Sequence, residues 1–356
     1  MWYKNRFFKY ALGLLLILVN IYLLGKIDYF LVPLRNVLGT IFFPLLISGL
    51  LYYLLRPLVN LLVRLKIPRS LSILILFVVL LALISLVSAS AGSMLVNQAS
   101  QLYNNAQNYI QISTEKTVEF FNSGSLSFIP VEQLQQQLTG FLSKLVPFLS
   151  QSIISGIAAV ANFATVLIIV PFILFYLLKD DKIFRKYLLN LIPKNHRDNG
   201  DEILDDVDKT LSAYIIGQAI LALSVGVFMY IGYLILGLDF ALLLAIFALI
   251  TAFIPILGAF IGVIPAVLLS LTVSPLMALK VLILMIIVQQ LEGNLLSPQL
   301  MGKRMNIHPL TFIIILLAAA SLAGFIGMLI AVPVYAVIKI VGKKIYEIYK
   351  LDKENF

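Results

Sequence analysis

The residues best suited to chemistry in this chain are Gln289, Gln290, Glu292 and Asn294, gathered in the stretch VQQLEGNLLSPQLMGK. They close an apolar run, and an ionisable group inside lipid is expensive, so a functional role is its default reading. A carboxylate there can hold a cation or carry a proton, while the amides can hydrogen-bond the hydroxyls of an organic solute. Gly293 and Pro298 offer places for the helix to unwind. The plainer alternative puts Glu292 at the cytoplasmic interface, paired with Lys303 or Arg304. Gln218, in AYIIGQAILA, supplies a further amide, either as glue between helices or as a pathway group. Asp239, in LILGLDFALL, reads as the N-cap of a helix at the outer surface.

Other chemistries find no support. Cysteine is absent, so disulfides and thiolate metal sites are excluded. His196 and His308 lie far apart with no ligand-spaced partner, so no metal site is expected. No nucleophile, base and carboxylate gather at triad-like spacing, and no Gly-rich phosphate loop ends in Lys-Ser/Thr. The sequence therefore implies neither an enzyme nor a resident cofactor, and nothing in it supports ATP-driven transport.

The elements that must position these residues follow from composition. Of 356 residues, 61% are apolar and 12% charged, and mean hydropathy is +1.02. That leaves too little polar surface to cover a water-soluble particle of this size. Several apolar runs reach the roughly 20 residues that cross about 30 Å of hydrocarbon, which predicts an all-α integral membrane protein. About eight hydrophobic segments are expected: 8–25, 37–55, 70–91, 153–178, 212–236, 239–272, 277–296 and 308–340. The basic, apolar N-terminus lacks a small-x-small cleavage site and reads as a retained first span.

Two of these runs are broken. In TAFIPILGAFIGVIP the breaks are Pro255, Gly258, Gly262 and Pro265, and AAASLAGFIGMLIAVPVYAVI echoes them with Gly324, Gly327 and Pro333. As one straight helix, 239–272 would extend about 50 Å, too long for a single span and too short for two. Re-entrant hairpins fit that arithmetic. Paired Gly/Pro-interrupted segments are the best sequence pointer to a transporter's substrate or ion site. The alternative is a pair of small-residue faces that let helices approach closely.

Lysine and arginine set the orientation. With the N-terminus in the cytoplasm, only Lys26, Arg35, Lys116, Lys144 and Lys280 of the 26 fall outside, and both termini are cytoplasmic. The net charge of +9 then reflects topology and attraction to anionic membrane lipid, and nucleic-acid binding is not expected. The organisation reads as three N-terminal membrane helices (1–91), an extracytoplasmic amphipathic helical region (92–152) and a fourth membrane helix (153–178). A cytoplasmic helical hairpin (179–211), a transport core with broken helices (212–340) and a cytoplasmic tail (341–356) follow. The external region carries Leu134, Leu138, Phe141, Leu142 and Leu145 at helical spacing, as a structural cap or a substrate gate. In the cytoplasmic hairpin, Asp201, Glu202, Asp205, Asp206 and Asp208 read as a solvated face.

Five separated motifs carry a resemblance: PFILFYLLKDDKIFRKYLLNLIP with LSAYIIGQAI, then IPILGAFIGVIP, QQLEGNLLSPQLMGKRMNIHPL and LAGFIGMLIAVPVYAVIK. In this order they resemble the signature run of the autoinducer-2 exporter family of bacterial membrane transporters. The resemblance implies a cytoplasmic-membrane protein with eight hydrophobic segments and a homo-oligomer, a pentamer among the states implied. Members include exporters of autoinducer-2, sodium or lithium/proton antiporters, and permeases. Carried over by position, its motif residues are Gln218, Pro255, Gly258, Gly262, Pro265, Glu292, Asn294, Pro298, Gly302, His308, Pro309, Gly324, Gly327 and Pro333.

The expected function is secondary transport, either export of a small polar solute such as autoinducer-2 or exchange of a monovalent cation for protons. The competing class is a non-transporting membrane scaffold or assembly protein.

Overall fold

A computed structural model describes residues 6–24, 28–87, 92–104, 164–301 and 308–354, with isolated positions between 89 and 140. Among these residues the chain is helical and forms no strand. The expected stripe from Leu134 to Leu145, residues 153–163, and Gly302, Lys303 and Arg304 all lie outside them.

Helices α1 (Arg6–Leu24), α2 (Asp28–Arg64) and α3 (Arg69–Val87) open the chain, followed by α4 (Ser93–Asn104) and α5 (Ala164–Lys179). Next come α6 (Asp181–Asn190), α7 (Arg197–Leu236), α8 (Ala241–Thr251), α9 (Leu257–Val273) and α10 (Pro275–Leu291). A π-turn (Glu292–Leu296) leads into α11 (Ser297–Met301), and α12 (Pro309–Glu354) ends the described chain. Among the described residues, five helical stretches are long and apolar enough to cross a membrane: Gly39–Arg64, Arg69–Leu86, Arg197–Leu236, Pro275–Leu300 and Leu310–Glu347. Shorter apolar helices join them, as an integral membrane protein requires.

Helices α2, α3 and α5 form one bundle around Leu55, Val59, Ile73, Leu76, Leu174 and Leu178. Its charged end is tied by Arg69, which donates to the Leu178 carbonyl at 2.7 Å and pairs with Asp181 at 2.6 Å. A guanidinium at a helix C-terminus answers carbonyls that have no intrahelical partner.

Helix α7 is the spine, in contact with α2, α6, α8, α10, α11 and α12. Its 40 residues extend about 60 Å. The charged stretch expected to belong to a separate hairpin continues without interruption into the apolar stretch. Gly237 ends it in the left-handed region (φ 69), and the Leu238 N–H closes back to the Tyr233 carbonyl at 3.0 Å.

The two broken runs fold back on themselves. In a continuous helix Ala248 and Gly262 would stand about 21 Å apart. Here a Cβ built on Gly262 would lie 3.0 Å from the Ala248 Cα, and one on Gly258 would lie 2.6 Å from the Thr251 carbonyl carbon. Only a residue without a side chain lets α8 and α9 meet this closely. The reversal uses Ile256 at φ 66, a conformation that costs a β-branched residue on the order of 1–3 kcal/mol. In α12 the break is at Ala323 and Gly324, where Gly324 takes φ 58 and ψ −138. A Cβ on Gly327 would lie 2.9 Å from the Ala319 carbonyl carbon, although eight residues of straight helix span about 12 Å.

Candidate functional site

The two hairpins meet each other. Ile254, at the tip of the first and 1% exposed, shares an apolar cluster with Leu316 and Ala331, one from each arm of the second. Leu257, Phe312, Ile315, Ala319 and Met328 pack around them. Of the breaks expected from sequence, Gly258, Gly262, Pro265, Gly327 and Pro333 are buried and Gly324 is exposed.

Gln218 on α7 pins this junction. Its side chain is 5% exposed, and Nε2 donates to the Ala252 carbonyl at 2.7 Å. Ala252 lies where α8 stops, so Gln218 satisfies a carbonyl at the helix break. Beside it, the Thr251 hydroxyl lies 3.0 Å from both the Phe247 and Ala248 carbonyls. Gln218 thus makes a hydrogen bond across helices. One turn earlier, Tyr214 is buried with Ile215 against Val332, and its hydroxyl has no hydrogen-bond partner among the described residues. Tyr214 was not singled out from sequence. Its spacing four residues from Gln218, on the same face of a helix, was the available signal.

The second polar group is separate. Gln289 Nε2 donates to Glu292 Oε2 at 2.8 Å, and Asn294 Nδ2 donates to Gln290 Oε1 at 2.5 Å. Glu292 opens the π-turn, a wide turn that interrupts the α-helical ladder and recurs at functional sites. Gly293 lies within this turn, and the exposed Pro298 follows it in α11. The π-turn and α11 pack on α7, and Leu284 of α10 fills the notch left by Gly232. Glu292 stands eight residues beyond Leu284, about 12 Å along the helix. It is half-buried and forms no ion pair among the described residues. No hydrogen bond joins this group to Gln218 there, and no three His, Cys, Asp or Glu side chains gather to hold a metal.

One expectation is corrected and another extended. Asp239 does not cap α8: Phe240 (φ 61) precedes that helix and makes no side-chain cap. The acidic stretch of α7 is solvent-accessible, as expected, and its carboxylates also pair with cations from three other helices. Arg56 of α2 bonds both oxygens of Asp208 at 2.8 Å. Arg185 of α6 pairs with Asp201 at 2.7 Å and with Asp205, and Lys344 of α12 pairs with Glu202 at 2.7 Å. Sequence distance hid these partners. His308, another motif residue, accepts the Leu310 N–H on Nδ1 at 3.3 Å at the start of α12.

Comparison with known proteins shows the family. The model of the AI-2E family transporter matches residues 12–347. The chain is 40% identical to "Putative transport protein YueF" of Bacillus subtilis (strain 168), over 99% of this chain and 97% of that protein. It is 33% identical to "Putative transport protein YrrI" of the same organism, over 92% of each. It is 29% identical to "Putative permease PerM" of Escherichia coli (strain K12), over 96% of this chain and 95% of that one. A helical chain with several membrane-length apolar stretches, matched over nearly its whole length, belongs to the AI-2E family of membrane transporters.

Proposed function

We propose that this chain is a secondary transporter of the bacterial cytoplasmic membrane whose two hairpins re-enter the membrane and form its gate. The observation that carries the reading is the junction at Ile254, where the tip of one hairpin is clamped by both arms of the other and held by Gln218. Broken backbone at membrane depth is costly unless protein or a hydrated pathway satisfies it, and a gate needs elements able to part. The cargo is a small polar solute such as autoinducer-2, for which the exposed amides of Gln290 and Asn294 offer hydrogen-bonding groups. A second reading, exchange of a monovalent cation for protons, rests on half-buried Glu292 and its single amide partner. In both, the termini are cytoplasmic, anionic lipid faces the basic side, and copies of the chain associate as a homo-oligomer. A non-transporting scaffold has less support, because it gives no use to the strained tip at Ile256.

The test uses reconstituted vesicles with an imposed pH gradient and an internal pH dye. Sodium or lithium is added to wild type and to Glu292→Gln. Collapse of the gradient in wild type alone assigns cation/proton exchange with Glu292 as coupling group. No response from either protein, both folded and inserted, directs the assay to labelled autoinducer-2. Failure of solute flux as well would sink the transport reading.

A further inference from the structure

The second arm of the α12 hairpin leaves the apolar core after Ala336, since Ile338, Ile345 and Tyr346 beyond it are exposed. Eight residues on, about 12 Å along the helix, Lys344 reaches Glu202 at 2.7 Å and Asp206 at 4.0 Å on the acidic start of α7. Glu202 and Asp206 are four residues apart and share a helix face, so together they form a seat for one ammonium group. The other cations on this stretch come from α2, α6 and, as Lys209, α7 itself, all outside both hairpins. Lys344 alone among these ties joins the spine to an arm of the gate. Its partners remain solvent-accessible, at 60% for Glu202 and 44% for Asp206, so dissolved ions can compete for them.

We propose that Lys344 with Glu202 and Asp206 is an ionic latch that holds the second hairpin shut and makes opening sensitive to ionic strength. Lys344 is a positioning residue: it touches no cargo and acts through the lever that carries Ala331 and Val332 into the junction. An exposed ion pair of this kind shifts an equilibrium by about 1.4- to 5-fold, a suitable size for a bias that salt can remove. The latch rests on the hairpin-gate reading, and two readouts separate their failures.

The first readout is distance. The chain contains no cysteine, so spin labels on Asp198→Cys and Glu347→Cys report directly whether the arm lies on α7. In full-length reconstituted protein, the inference expects a shift to longer distances as salt rises. Lys344→Gln should be shifted already at low salt, and the charge-reversed pair Lys344→Glu with Glu202→Lys should regain salt-sensitive docking. The second readout is the labelling rate of Ala331→Cys, 4% exposed, by a water-soluble thiol reagent. It should rise about 1.4- to 5-fold in Lys344→Gln and return toward wild type in the reversed pair. If Lys344→Gln keeps the wild-type distances at every salt concentration, the latch is refuted and the gate reading is untouched. If the arm releases but labelling at Ala331→Cys never rises, the hairpin gate fails and the latch falls with it.

Discussion

Replacing Gln218 by methionine removes the donor to Ala252 while nearly preserving side-chain length, so it isolates one hydrogen bond. The Ala252 carbonyl sits at a buried helix break, and its 2.7 Å partner is the Gln218 amide. Leaving a buried acceptor unpaired costs about 1–3 kcal/mol. Because the cost falls on the docked tip and is relieved when the tip withdraws, the undocked population should rise about 5- to 160-fold. Ile254→Cys provides the assay. At 1% exposure its thiol is shielded in the docked state, and no native cysteine competes. The labelling rate by a membrane-impermeant thiol reagent should therefore increase in Gln218→Met within that range. Equal rates in both backgrounds, with both proteins folded, would refute the idea that Gln218 holds the tip.

Further expectations follow from particular contacts. Gly258→Ala sets a methyl 2.6 Å from the Thr251 carbonyl carbon, a backbone atom that cannot step aside, and should cost about 1–3 kcal/mol or more as a lowered Tm in detergent. Gly293→Ala meets nothing within 4 Å and serves as the control, with Tm unchanged or slightly raised. If the chain exchanges a cation for protons, Glu292→Gln should lose proton-coupled flux in vesicles while keeping its fold, since Gln289 can still bond an amide oxygen. The Arg185 guanidinium holds the Asp205 carboxyl below the usual carboxylate range. A depressed pKa stabilises the fold above the unfolded value and loses that contribution as pH falls through the folded one. A Tm series taken from neutral into acidic pH should accordingly fall less steeply in Arg185→Gln than in wild type.

Much of the architecture was legible because lipid imposes length. The 239–272 run is too long for one span, and the structure turns it back at Ile254–Ile256. The four polar residues Gln289, Gln290, Glu292 and Asn294 were visible as a polar cluster at the end of an apolar helix, and the structure pairs them with each other. What stayed hidden has identifiable causes. The continuity of α7 was missed because charge gives way to apolarity between Lys209 and Leu211 with no proline or glycine, so composition changes while the helical period does not. The ion pairs of Asp208 and Glu202 join residues 152 and 142 positions apart, beyond the reach of local spacing. Phe240 in the left-handed region displaces Asp239 from the capping position, a tertiary choice that side-chain propensity does not encode.

The central claim is that the two hairpins must part for transport. Ile254→Cys and Leu316→Cys place one thiol on each side of the junction in a chain with no other cysteine. Flux of labelled autoinducer-2, or of protons against sodium, is then measured in vesicles before and after a short reducible bis-thiol cross-linker is applied. The account predicts that cross-linking stops flux and that reduction restores it, with each single-cysteine protein unaffected. Undiminished flux through a fully cross-linked junction would contradict it.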